Sequence, residues 1–128
     1  KRLAQELHVE CEFKGAVTDY EKWREIKRSL FMVFPTSFEG FGMPPAEALY
    51  CKIPCIASDL PILRDIYADK LEYFTPVQVE ELADKMRFLL THPDYRTQRG
   101  EEGHSYVRER LSWQKSAEEI ERCVAFAE

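Results

Sequence analysis

The segment from Leu30 to Tyr50 leaves this chain few folds to choose from. Leu30-Phe31-Met32-Val33-Phe34 is a short unbroken apolar run rich in aromatic and branched residues, the pattern of a strand covered on both faces. Gly40 and Gly42 follow, where backbone can turn tightly and approach a ligand with no side chain in the way. Proline suits the first helical position, where its missing N–H costs nothing, so Pro44-Pro45 predicts a helix that begins near Pro45 and carries Ala46 to Tyr50. The free amides and positive dipole end of such a helix face the preceding loop and favour phosphate or sugar hydroxyls. Glu39 stands just before the glycines and Glu47 in the expected first helical turn. Both carboxylates then border one crevice at the carboxyl end of a strand, where open α/β sheets bind ligands. Each feature has a plainer role: Glu47 as a dipole complement, Glu39 as a solvated loop acid, the glycines as ordinary turn residues. Their combination in one strand-loop-helix unit is what points to a site.

The rest of the chain alternates between helical and strand patterns. Lys1 to His8 reads as the tail of an amphipathic helix and Glu12 to Val17 as a strand. Asp19 is placed to cap a helix through about Ser29, with Trp23, Ile26 and Leu30 at the spacing of a buried stripe. A strand at Ile53 to Ala57 follows the glycine-loop helix, and Ser58 or Asp59 with Pro61 makes a capped start for a short helix through Tyr67. After a strand near Tyr73, the residues Val79, Leu82, Ala83, Met86, Leu89 and Leu90 mark a long helix. Two polar helices, roughly Asp94 to Arg110 and Trp113 to Ala127, close the chain. Strands and helices in alternation imply an α/β domain with a Rossmann-like parallel sheet flanked by helices, doubly wound. With 128 residues, 45% of them hydrophobic, one core and one domain over 1–128 are expected.

Several function classes are disfavoured. A net charge of -5 does not suit nonspecific nucleic-acid binding, which needs a basic face. No apolar run approaches the roughly 20 residues that cross a bilayer, and the first residues do not read as a secretory signal. Cys11, Cys51, Cys55 and Cys123 form neither a disulfide framework nor a zinc pattern; Cys51 and Cys55 read as small buried thiols, and a reducing cytoplasm is the expected setting. His8, His92 and His104 are scattered, which suits surface or packing roles, and no metal or cofactor is expected.

Glu39, the Gly40-Phe41-Gly42-Met43-Pro44 loop and Glu47 resemble the E-x7-E signature of retaining GT-B glycosyltransferases of group 1, which include many α-mannosyl and α-glucosyl transferases. The resemblance covers nearly the whole chain. Phe13-Lys14-Gly15-Ala16-Val17 is similar to the family's F-x-G-x-V strand and turn, and Ile53 to Pro61 to its xPVIASDxP segment. Leu71 to Pro76 is similar to the short strand before the next long helix, and Leu111-Ser112-Trp113 to the F-S-W that opens the last helix. Two positions depart from the pattern: Lys52 replaces a helix-ending glycine, which predicts a slightly strained cap, and Asp65 follows Arg64 where glutamate is frequent; Trp113 reads as packing.

The resemblance implies part of the carboxyl-terminal, donor-binding lobe of a GT-B enzyme that transfers a hexose from a nucleoside-diphosphate sugar to an acceptor hydroxyl with retention. By resemblance, Glu39 bonds hydroxyls of the transferred sugar and is the residue nearest the chemistry. Gly40, Phe41, Gly42 and Met43 line the donor, Glu47 holds the ribose hydroxyls in bidentate fashion, and Val17 and Thr18 lie near the base. Ser58 and Asp59 border the same crevice, with helix capping as their simpler role. In the family a further strand-helix unit carries an Arg and a Lys that neutralise the diphosphate, and a separate amino-terminal domain holds the acceptor. The expectation is therefore a partial lobe, inactive alone, with an exposed sheet edge available for self-association. The full-length protein is expected in the cytoplasm or at the inner face of a membrane. Two other classes fit less of the sequence: a noncatalytic binding or assembly module with the same fold, and a glycoside hydrolase, which needs its carboxyls opposed across a glycosidic bond.

Overall fold

The computed structural model describes residues 2–112 together with 114–115, 117–118 and 121–122. In chain order the elements are α1 (Arg2–Glu6), α2 (Asp19–Arg28), β1 (Met32–Phe34), α3 (Met43–Tyr50), β2 (Cys55–Ser58), α4 (Pro61–Tyr67), β3 (Glu72–Phe74), α5 (Val79–Thr91) and α6 (Pro93–Arg110). The strands form one parallel sheet in the order β1-β2-β3, with Val33 beside Ile56 and Ala57 beside Tyr73. Residues of β2 alternate between two cores, as the strand period requires. Cys55 and Ala57 join Leu49, Leu63 and Tyr67 on one face, whereas Ile56 joins Phe74 and Leu89 on the other. Helices thus cover both faces, and every residue of β2 is buried. The strand order runs in sequence without a reversal, so the doubly wound order, which contains one, is not found among the described strands.

Glu12 to Val17 does not form the expected strand. All of these residues are exposed, and Gly15 takes φ 66°, which interrupts an extended path in its middle. The turn expected at Gly15 is present; the strand pairing is not. The amino-terminal helix is short, and no residue of α1 is buried, so it lacks the apolar contact of an amphipathic helix. The cap of α2 is Thr18 rather than Asp19. Thr18 Oγ1 accepts the Glu21 amide at 3.3 Å while Glu21 Oε2 accepts the Thr18 amide at 2.9 Å, a reciprocal capping box. This helix ends at Arg28, which leaves Leu30 exposed instead of in the buried stripe with Trp23 and Ile26.

Ser58 and Asp59 cap nothing. Ser58 is buried at the end of β2, Leu60 occupies the cap position of α4, and Asp59 pairs with Arg64 at 2.5 Å. That hydrogen bond from the guanidinium holds the Asp59 carboxyl below its ordinary pKa. In α5 Leu82, Met86 and Leu89 face the core, but Val79 and Leu90 are exposed. Of the two cysteines expected to be buried, Cys55 is, and burial pushes its thiol pKa up; Cys51 is half-buried. Trp113 and most of the last expected helix lie outside the described residues.

Two glycines of α6 decide how closely it packs on α3. Gly100 sits against the Lys52 backbone and Gly103 against the Leu49 side chain, with no room for a β-carbon at either. On its other side α6 is anchored by Arg99, whose Nε donates to Glu72 of β3 at 2.8 Å; Tyr95 donates to the same carboxylate oxygen at 2.8 Å.

The carboxyl end of α3 explains the departure at Lys52. The Lys52 amide donates to Leu49 O at 2.9 Å and the Ile53 amide to Ala48 O at 2.9 Å, the paired bonds of a Schellman ending. Lys52 itself takes φ 63°, the left-handed conformation that glycine adopts without penalty. The cap geometry is therefore kept and the expected strain falls on one lysine. Lys52→Gly is expected to raise stability by about 0.5–1 kcal/mol, because relief of a left-handed residue worth roughly 1–2 kcal/mol exceeds both the loss of an exposed ion pair to Glu101 and the added freedom of the unfolded chain. Urea unfolding of the two proteins checks it; a loss of stability would show that Lys52 is not strained.

Candidate functional site

The loop between β1 and α3 begins at Pro35, directly beyond the carboxyl end of β1. Thr36 gives it local order: its hydroxyl lies 2.9 Å from Phe38 O and 3.1 Å from Glu39 Oε1, one proton shared between two acceptors. Glu39 is half-buried beside this hydroxyl. Phe38 projects into solvent. Gly42 is the cap residue of α3, in the left-handed conformation with φ 78° and ψ 59°. The backbone angle favours glycine, and a β-carbon there would lie 2.7 Å from Leu63 Cδ2 and displace the end of that side chain.

This turn starts α3 at Met43, two residues before the expected Pro45. The prolines become the second and third helical residues, where an N–H has no intrahelical partner in any case. Glu47 is then the fifth residue of the helix and lies beyond its first turn, which contains no acidic residue. Dipole complementation accordingly loses its basis as the reason for Glu47.

Fewer amides than expected are open at this helix end. Pro44 and Pro45 have none. Tyr67 is buried, and its hydroxyl donates to Gly42 O at 2.6 Å. The Phe41 ring meets the Tyr67 ring edge-on at 6.4 Å. Burial raises the phenol pKa, with the negative charge of Glu39 a lesser contributor. One tyrosine thus pins the glycine turn to α4. The sequence signals burial of Tyr67, four residues after Leu63 on one face of α4, and nothing more.

Glu47 faces the other way along α3, toward α2. Its Oε1 accepts a hydrogen bond from Lys22 Nζ at 2.7 Å, and its side chain keeps 18% exposure. Beside it is a hollow of about 320 Å³ bordered by Trp23, Met43, Tyr50 and Arg108. The predicted site residues therefore fall into two groups on one strand-loop-helix unit. Phe41 and Gly42 gather around Tyr67, with Glu39 beside Thr36 in the same loop, while Met43 and Glu47 share the hollow beside α2; Gly40 is an exposed residue of the loop, with nothing within 4 Å of the place its β-carbon would take. Val17 is exposed, and Thr18 caps the helix whose next turn carries Lys22. Among the described residues, no three His, Cys, Asp or Glu side chains converge as metal ligands, and no helix is long and apolar enough to cross a membrane.

Comparison with known proteins places this unit in a family. Residues 1–106 match the family model described as glycosyl transferases group 1. The chain belongs to that family. It is 32% identical over 78 residues to the O-antigen chain mannosyltransferase RfbU of Salmonella typhimurium, covering 56% of this chain and 22% of that protein. It is 31% identical over 86 residues to the MMP alpha-(1->4)-mannosyltransferase of Mycolicibacterium hassiacum, covering 65% and 21%. The chain thus spans about a fifth of the length of these curated relatives. Among solved structures, sucrose-phosphate synthase of Thermosynechococcus elongatus superposes with a TM-score of 0.83 at 22% identity, over 99% of this chain and 34% of that one. The group 1 glycosyltransferase fold, the GT-B Rossmann-like sheet with its flanking helices, is the one found here.

Proposed function

We propose that this group 1 glycosyltransferase chain forms part of the donor site of a retaining hexosyltransferase, which moves a hexose from a nucleoside diphosphate to an acceptor hydroxyl. The observation that carries this reading is the course of the chain out of β1, past Glu39, through the left-handed Gly42 and into α3 with Glu47 one turn inside. Breaking the donor bond places negative charge on the departing diphosphate and positive charge on the sugar ring, and fixed dipoles stabilise such a separation without reorganising. The amides of Gly40, Phe41, Gly42 and Met43 are the donors for the diphosphate, since the prolines supply none. Glu39 orients the sugar hydroxyls beside the positive ring, and Glu47 takes the ribose. Val17 and Thr18 border the base. The mannosyltransferase names of two relatives favour mannose as the hexose. Acceptor recognition belongs to the whole protein, so these 128 residues alone bind donor and do not transfer.

Calorimetric titration with UDP, GDP and ADP tests the reading. One nucleotide is expected to bind selectively, and Glu47→Gln to weaken it by about 10-fold or more, the worth of a hydrogen bond to a charged group. Equal binding by both proteins, or binding of none of the three, would overturn it.

A further inference from the structure

Glu47 is tied to α2 by one lysine, and the geometry of that tie bears on which ribose the site accepts. Lys22 follows the Thr18 cap by one helical turn, with its amide bonded to Thr18 O at 2.9 Å, so the capping box fixes where the lysine stem leaves α2. Its ammonium lies 2.7 Å from Glu47 Oε1, 3.5 Å from Asp19 Oδ1 and 4.9 Å from the centroid of the Trp23 ring. Asp19 is almost fully exposed, whereas the Glu47 side chain is only 18% exposed, so the short bond to Glu47 is the better shielded of the two. That hydrogen bond also holds the Lys22 pKa above its ordinary value.

From this arrangement we infer that Lys22 is a positioning residue for ribose recognition: it occupies one oxygen of Glu47 and turns the other toward the ribose, so that the site reads a single hydroxyl tightly. The inference rests on the donor-site reading and refines it, because a carboxylate with one oxygen held by an ammonium is not free to take two hydroxyls symmetrically. A glutamate on a helix has three rotatable side-chain bonds, and ordering it before the ligand arrives removes an entropic cost from binding. A hydrogen bond from a ribose hydroxyl to a carboxylate is stronger than one to a neutral acceptor.

The test uses whichever of UDP, GDP and ADP binds the full chain tightest, together with its 2′-deoxy and 3′-deoxy forms. The unmodified chain is expected to prefer the ribonucleotide over one deoxy form by about 10-fold and over the other by about 2-fold or less, the difference between a charge-assisted hydrogen bond and none. Lys22→Met keeps the apolar stem over Trp23 and removes the tie; the larger preference is expected to fall to about 3-fold, and Lys22→Arg to restore most of it. Thermal unfolding of Lys22→Met is expected to stay close to that of the unmodified chain, since the Lys22 side chain keeps 34% exposure and methionine retains its apolar stem. Three outcomes overturn the assignment. If Lys22→Met weakens ribo and deoxy forms equally, the lysine acts as a simple charge on the ligand. If it changes nothing while Glu47→Gln abolishes the preference, the donor-site reading stands without Lys22. If no nucleotide binds the unmodified chain, the reading and the inference fall together.

Discussion

Gly100→Ala is expected to lower the unfolding free energy by about 3 kcal/mol or more, the upper end of what overpacking a close contact costs. The added methyl would fall on the Lys52 carbonyl oxygen, and backbone cannot move aside as the end of a side chain can. Lys52 is also the left-handed residue of the Schellman ending of α3, so displacing it breaks the paired bonds to Leu49 and Ala48. The consequence reaches the site, because α3 carries Met43 at its start and Glu47 in its second turn. Gly40→Ala is the matched control: nothing lies within 4 Å of its β-carbon position, and a change within about 0.5 kcal/mol is expected. Urea unfolding of the two variants separates them, and similar stabilities would show that α6 does not press on α3 as described.

The second large effect is a coupling between helices. Leu49 is fully buried beneath Gly103, and Leu49→Ala is expected to cost about 2–5 kcal/mol through lost burial and the cavity left behind. Gly103→Ala alone forces its methyl into the Leu49 side chain and is expected to cost about 1–3 kcal/mol. Together the two changes offset each other in part, since the new methyl enters the space that the leucine vacates. The double variant should therefore be at least about 1 kcal/mol more stable than the sum of the single losses predicts. Additivity within about 0.5 kcal/mol would contradict the contact.

These helix contacts separate what the residues announce from what only the fold creates. The β1–loop–α3 unit is legible because its signals are local: an apolar run, two glycines and two prolines within fifteen or so residues. The start of α3 was displaced by two residues because the left-handed cap at Gly42 depends on Leu63 and Tyr67, which arrive from α4. Glu12 to Val17 has strand-forming residues, but a strand exists only where it pairs, and Gly15 turns the backbone before it can. Ser58 and Asp59 have capping chemistry, yet β2 extends through Ser58 and Arg64 takes Asp59. The two carboxylates of the site were identified by type and spacing. Their partners were not, because Thr36 is close to Glu39 only once the loop folds back, and Lys22 lies 25 residues from Glu47 on a different helix.

A crystal structure of this chain soaked with the tightest-binding nucleoside-diphosphate sugar tests most directly whether Glu39 and Glu47 serve one donor. The account predicts sugar hydroxyls within hydrogen-bond distance of Glu39, the diphosphate over the amides from Gly40 to Met43, and a ribose hydroxyl on the Glu47 oxygen that Lys22 leaves open. Donor bound away from the loop between β1 and α3, or bound there with either carboxylate directed elsewhere, would contradict it.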